Sequence, residues 1–159
     1  MPPLKSTTKC QAVEQELDEQ LYSADIVASL SAEIAFGKNQ IEQALSLAEQ
    51  AAAMAHKMGG ICGEGIVRQV WGRSLAGMSP PRWDEAEEQM AESLRLFELC
   101  EAHLFAARIR IYWGIICRDR GNADAALEHF EKAASQWTAS NIPWEMERVN
   151  KLIAELPKA

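Results

Sequence analysis

The sequence predicts an all-α chain, arranged as three helical hairpins with a C-terminal capping helix, and three observations support this. Ala, Leu, Glu, Gln and Arg are prominent among the 159 residues, and all five favour helix. Two tryptophan–glycine pairs, Trp71-Gly72 and Trp113-Gly114, stand 42 residues apart, each followed by a turn signal and then by an alanine face. Small residues suited to close helix crossings recur at nearly the same period. Ala32, Gly72 and Gly114 are spaced by 40 and 42, and Ala44, Ala86 and Ala126 by 42 and 40. Two independent landmarks at one period mark the repetition of a single supersecondary unit.

The elements follow in order. Residues 1–24 form an N-terminal segment expected to be partly helical, with Val13, Leu17 and Leu21 at four-residue spacing. The first helix therefore starts either near Gln11 or after a break at Ser23. The main domain is expected over 25–159. Its first hairpin (25–58) pairs Asp25–Phe36 with Ile41–Lys57 through the turn Gly37-Lys38-Asn39-Gln40. Gly59, Gly60 and Gly63 then end the second helix, as glycine does in the left-handed conformation, and this glycine-rich stretch is expected to be an inter-hairpin linker with Gly65 near the start of the next helix. That stretch follows a helix and lacks Lys-Ser/Thr, so it does not fit a phosphate loop. The second hairpin (64–100) pairs Glu64–Gly77 with Trp83–Cys100, and Pro80-Pro81 forbid helix between them. The third (104–139) pairs Leu104–Arg120 with Ala123–Thr138 through Gly121-Asn122, a compact left-handed turn. Ile142-Pro143 opens the capping helix (143–156), with Trp144, Val149, Leu152, Ile153 and Leu156 on its docking stripe and Arg148 on its polar face.

Composition narrows the function. There is no 18-residue apolar run and no apolar signal core near Met1, so a cytoplasmic protein without a membrane partner is expected. A net charge of −7 argues against nucleic acid as a general partner. Cys10, Cys62, Cys100 and Cys117 are scattered and are expected as free thiols, with Cys62 in the glycine-rich linker and Cys100 and Cys117 as small core residues. Eight of the nine arginines lie between Lys57 and Lys132, a stretch without lysine. Arginine suits planar contact with carboxylates. Those carboxylates are either a partner's or the chain's own, with Glu33, Glu64 and Asp119 the internal candidates.

Catalytic constellations are weak. Cys100 and His103 are spaced to chelate a metal on a helix, but no second pair accompanies them. His56 and His129 have no partners that would complete a triad, and Glu128 and Glu131 suit an outer helix face. The expectation is a protein that is not an enzyme and needs no cofactor or metal.

The repeat landmarks carry a resemblance. Trp113-Gly114, Cys117, Gly121-Asn122, Ala126, Phe130 and Ala133 in hairpin three resemble the signature of the tetratricopeptide repeat (TPR) family. Hairpin two matches through Trp71-Gly72, Leu75, Ala86, Met90 and Ser93, and hairpin one through Ala32, Ala35, Ala44, Ala48 and Ala51. The unit exceeds the family's usual length of about 34 residues. It looks like the longer repeats of bacterial signalling ATPases, cyclases and transcriptional activators, over roughly residues 25–156. The resemblance implies a TPR-like α-solenoid that acts as a scaffold or regulatory module, without chemistry of its own.

In that family the first helix of each unit lines a concave face. The resemblance therefore implies an inner surface with Ile26, Ser29, Leu30 and Glu33 from hairpin one, and Ile66, Gln69, Val70 and Arg73 from hairpin two. Hairpin three would add Arg108, Ile111, Tyr112, Ile115 and Arg118. The expected peptide-binding set is Ile66, Gln69, Arg73, Arg108, Ile111, Tyr112, Ile115 and Arg118, and the expected partner is a protein or peptide bearing acidic groups. The family's Lys and Asn carboxylate clamp is absent. A small-molecule-sensing domain and a self-assembling homo-oligomer are the alternatives.

Overall fold

A computed structural model describes residues 27–157; the N-terminal segment 1–24 and Ile26 lie outside the described residues. The described residues are all-α, with seven helices and no strand. Helix α1 covers 27–37. It is followed by α2 (Ile41–Met58), α3 (Ile61–Ala76), α4 (Trp83–Leu99), α5 (His103–Asp119), α6 (Ala123–Ala139) and α7 (Pro143–Ala154). No described helix is long and apolar enough to cross a membrane.

The turns between these helices are closely alike. Five of the six contain one residue with positive φ: Asn39, Gly59, Glu101, Gly121 and Asn141. In each of the five, the next residue's N–H donates to a carbonyl five positions back. The pairs are Gln40 to Ala35, Gly60 to Ala55, Ala102 to Phe97, Asn122 to Cys117 and Ile142 to Trp137, at 2.8–3.2 Å. This closure satisfies carbonyls left open at a helix end. The sixth turn carries Pro80-Pro81 and closes differently, with the Arg82 N–H on the Leu75 carbonyl at 3.0 Å. Asn122 also accepts from the Ala125 N–H at 3.2 Å, capping α6.

The glycine-rich stretch departs from expectation. Only Gly59 and Gly60 connect α2 to α3; α3 starts three residues before Glu64, so Gly63 lies inside it, and Gly65 falls in its second turn. Packing accounts for Gly65. A Cβ there would stand 3.1 Å from the Phe97 ring, and its carbonyl accepts from the buried Ser93 hydroxyl at 2.7 Å. Gly65 thus serves the α3–α4 crossing.

The other crossings use the repeat landmarks. A Cβ on Gly72 would meet the Ala86 carbonyl oxygen at 2.8 Å, and one on Gly114 would meet Phe130 at 2.5 Å. Trp71 and Trp113 beside them are half-buried. Trp113 stacks on His129 with centroids 4.4 Å apart, and its Nε1 donates to Glu87 at 3.4 Å.

The core forms three successive clusters. Ala32, Ala48, Ala51, Ala52, Val67 and Val70 join α1 to α3. Leu45, Leu75, Met90, Phe97, Ile109 and Ile116 join α2 to α5. Ile111, Phe130, Ala133, Trp137 and Val149 join α5 to α7. Consecutive helices make most of the contacts, and α3 also touches α5.

Helix α7 docks through Val149, with Met146, Leu152, Ile153 and Leu156 packed beside it. Trp144, expected on that docking stripe, is instead 68% exposed. It occupies the second position of α7, and the helix reaches the core from Met146 onward.

Candidate functional site

A concavity of about 380 Å³ opens where α1, α3, α5 and α7 approach one another near the start of α4. Phe36 comes from α1, Arg73 from α3, Trp83 from α4, Tyr112, Ile115 and Asp119 from α5, and Arg148 from α7. Apart from Trp83, these side chains come from odd-numbered helices, so one surface gathers residues separated by more than a hundred positions.

Arg73 is its centre. Its guanidinium lies 4.2 Å from the Phe36 ring centroid and 4.4 Å from that of Tyr112. Nη1 donates to both Glu33 carboxylate oxygens, at 2.9 and 3.2 Å. A guanidinium flanked by two π faces gains about 0.5–1 kcal/mol from each when partly solvated. The Arg148 guanidinium also approaches Tyr112, 5.9 Å from the ring centroid. Tyr112 is therefore an aromatic surface within reach of two cations, an arrangement suited to an acidic group beside an apolar one.

Arg73, Tyr112 and Ile115 of the expected set meet in this concavity. Ile66 packs against the α2–α5 cluster, and Gln69 is half-buried with its Oε1 enclosed and unpartnered. Ile111, expected on the inner surface, is instead wholly buried in the α5–α7 core. Val70 and Ser29, also expected there, are buried, whereas Leu30 is exposed. Arg108 is exposed and faces Glu145 of α7 at 4.0 Å. Arg118 pairs with its neighbour Asp119 at 2.8 Å.

Internal carboxylates therefore engage much of the arginine-rich stretch. Arg73 takes Glu33, Arg118 takes Asp119, and Arg68 holds the buried Glu64 at 2.6 and 2.8 Å. Glu64 also faces His56 Nδ1 at 3.1 Å. Arg120 bridges Asp84 and Glu87 at 2.7 Å each, joining α4 to the end of α5. Sequence reasoning did not select Phe36, Asp119 or Arg148 for the site, because their neighbours across the concavity lie on distant helices. Trp83 is half-buried against the α2–α5 cluster and lines the concavity.

Burial perturbs two groups elsewhere. It pushes the Cys117 thiol up to about 11, keeping it protonated in the core. It also holds His129 below its usual value, aided by Arg110. Among the described residues, no group of three or more His, Cys, Asp or Glu side chains could hold a metal ion. Compared with protein-family models and with curated proteins, the chain matches none.

Proposed function

We propose that this chain is a TPR-like α-solenoid that binds an extended acidic and apolar protein segment in the concavity around Arg73 and Tyr112. The observation that carries this reading is the convergence of α1, α3, α5 and α7 on one concavity. Sequential helix packing and the crossings at Gly72 and Gly114 support the repeat architecture. Because Glu33 is about half exposed at its side chain, a ligand carboxylate that displaces it exchanges one partly solvated ion pair for another. Such a pair contributes roughly 0.2–1 kcal/mol, so the apolar surface of Phe36, Trp83, Tyr112 and Ile115 supplies most of the affinity. The module is a scaffold or regulator, and catalysis is not part of its role.

Selection from a random peptide display library, followed by fluorescence anisotropy, tests this. Enriched peptides should combine acidic and apolar residues, and Tyr112→Ala with Arg148→Glu should weaken them about tenfold or more while far-UV circular dichroism stays unchanged. A library without enrichment, or binders indifferent to both substitutions, would refute it. A second reading, small-molecule sensing, draws on the concavity's volume, which falls within the roughly 300–1,000 Å³ of ligand pockets. A metabolite that raises the melting temperature of the wild type but not of Tyr112→Ala would favour sensing.

A further inference from the structure

Cys62 and Cys100 are 38 positions apart in the chain, and each, taken alone, is an ordinary thiol. The fold brings their Sγ atoms to 2.9 Å. Cys62 sits on the exposed first turn of α3, while Cys100 is the half-buried residue that ends α4. Their approach belongs to a built crossing. Gly65 lets the Phe97 ring come close, Ser93 ties α4 to the Gly65 carbonyl, and the Cys100 Sγ lies 3.7 Å from the Phe97 carbonyl oxygen. A disulfide needs an S–S separation of about 2.0 Å, so the remaining closure is about 1 Å.

We infer that Cys62 and Cys100 form a redox modification site, an intramolecular dithiol that low-molecular-weight disulfides of the glutathione type oxidise reversibly. The exposed Cys62 thiolate attacks the small disulfide RSSR, forming a Cys62–S–SR bond and releasing one RS⁻. The Cys100 thiolate then attacks Cys62 Sγ, breaking that bond, forming Cys62–Cys100 and releasing the second RS⁻. RSSR is reduced by two electrons, the two cysteines are oxidised by two, and the two thiol protons pass through solvent to give two RSH. The hydrogen bond to Cys100, followed by burial, pushes the Cys62 thiol above its ordinary value, so the first exchange should accelerate with rising pH. The product would staple the start of α3 to the end of α4. This inference does not depend on the binding role proposed above.

The test treats the reduced full-length chain with oxidised glutathione, blocks remaining thiols with iodoacetamide and maps the peptides by mass spectrometry. The expected product is a Cys62–Cys100 cross-linked peptide with the mass of two hydrogens lost. The melting temperature should rise by roughly 5–10 °C and return when dithiothreitol is added. Cys62→Ser and Cys100→Ser should each abolish both signals, and a Cys10→Ser, Cys117→Ser double variant should retain them. A lasting glutathione adduct on Cys62 with Cys100 still alkylated would overturn the inference. So would oxidation that appears only between chains or through Cys10, or full alkylation of both cysteines after treatment.

Discussion

Replacing Gly114 with alanine opposes two effects whose signs can be told apart. Helix propensity favours the change, since glycine in a helix interior is about 0.5–1 kcal/mol worse than alanine. Packing opposes it. The new Cβ would lie 2.5, 2.7 and 3.0 Å from Cε1, Cδ1 and Cζ of Phe130, against ordinary carbon–carbon contact near 3.5–4.0 Å. Phe130 is fully buried between α5 and α7, so its ring has little room to retreat. Overpacking a close-packed core costs about 1–3 kcal/mol, and three contacts this short place the cost at the upper end. The net expectation is a loss of about 2 kcal/mol, or a melting temperature lower by roughly 4–8 °C for a chain of this size. Thermal and urea denaturation followed by circular dichroism measure it. Gly37→Ala is the control: a Cβ there meets nothing within 4 Å, so it should be neutral or gain up to about 1 kcal/mol. In the Gly114→Ala background, Phe130→Leu should cost less than it does alone, with a coupling of about 1 kcal/mol. If Gly114→Ala proved as stable as the wild type, the close crossing of α5 and α6 would be wrong.

Two further outcomes follow from buried polar groups. Arg68→Met removes the guanidinium from the Glu64 carboxylate, which is 5% exposed and keeps its His56 contact, and should cost roughly 1–3 kcal/mol in urea denaturation. Adding Glu64→Gln should recover a substantial part, and a double variant no better than the single would argue against the pair. His129 is held below its ordinary value of about 6.5 in the fold, chiefly by burial, so its contribution to stability is fully present above about 6.5. That contribution fades as pH falls from there through the lowered native value, because the unfolded chain takes up the proton first. His129→Phe, which can keep the stack on Trp113, should flatten the melting temperature as pH falls below about 6.5. An unchanged slope would remove His129 as the cause.

Much of the helical organisation was legible because its signals are local. Gly121-Asn122, Pro80-Pro81 and Ile142-Pro143 mark turns through the backbone conformations these residues permit, and small residues at one period exposed the repetition. Crossings between elements were harder to read. Gly63 resembled a linker by composition yet lies inside α3, and the packing role of Gly65 depends on Phe97, more than thirty residues away. Trp144 fits an apolar stripe, yet it falls on the part of α7 that precedes the docked surface. At the candidate site, Arg73 and Tyr112 could be selected from their helix face, whereas Phe36 and Arg148 join them only through packing that brings four helices together. The Cys62–Cys100 approach has no local signal at all. Charge pairing was partly accessible: Glu33, Glu64 and Asp119 were candidates, and each meets an arginine.

The left-handed residues Gly59, Glu101 and Asn141 are separated by 42 and 40 positions and close their corners with the same backbone bond. Since that bond uses main-chain atoms, the geometry of each corner depends little on which side chain occupies it. A second copy of residues 61–102 spliced in after Ala102 would meet a corner of the kind it left, so the molecule could be lengthened by a whole unit without a newly designed loop.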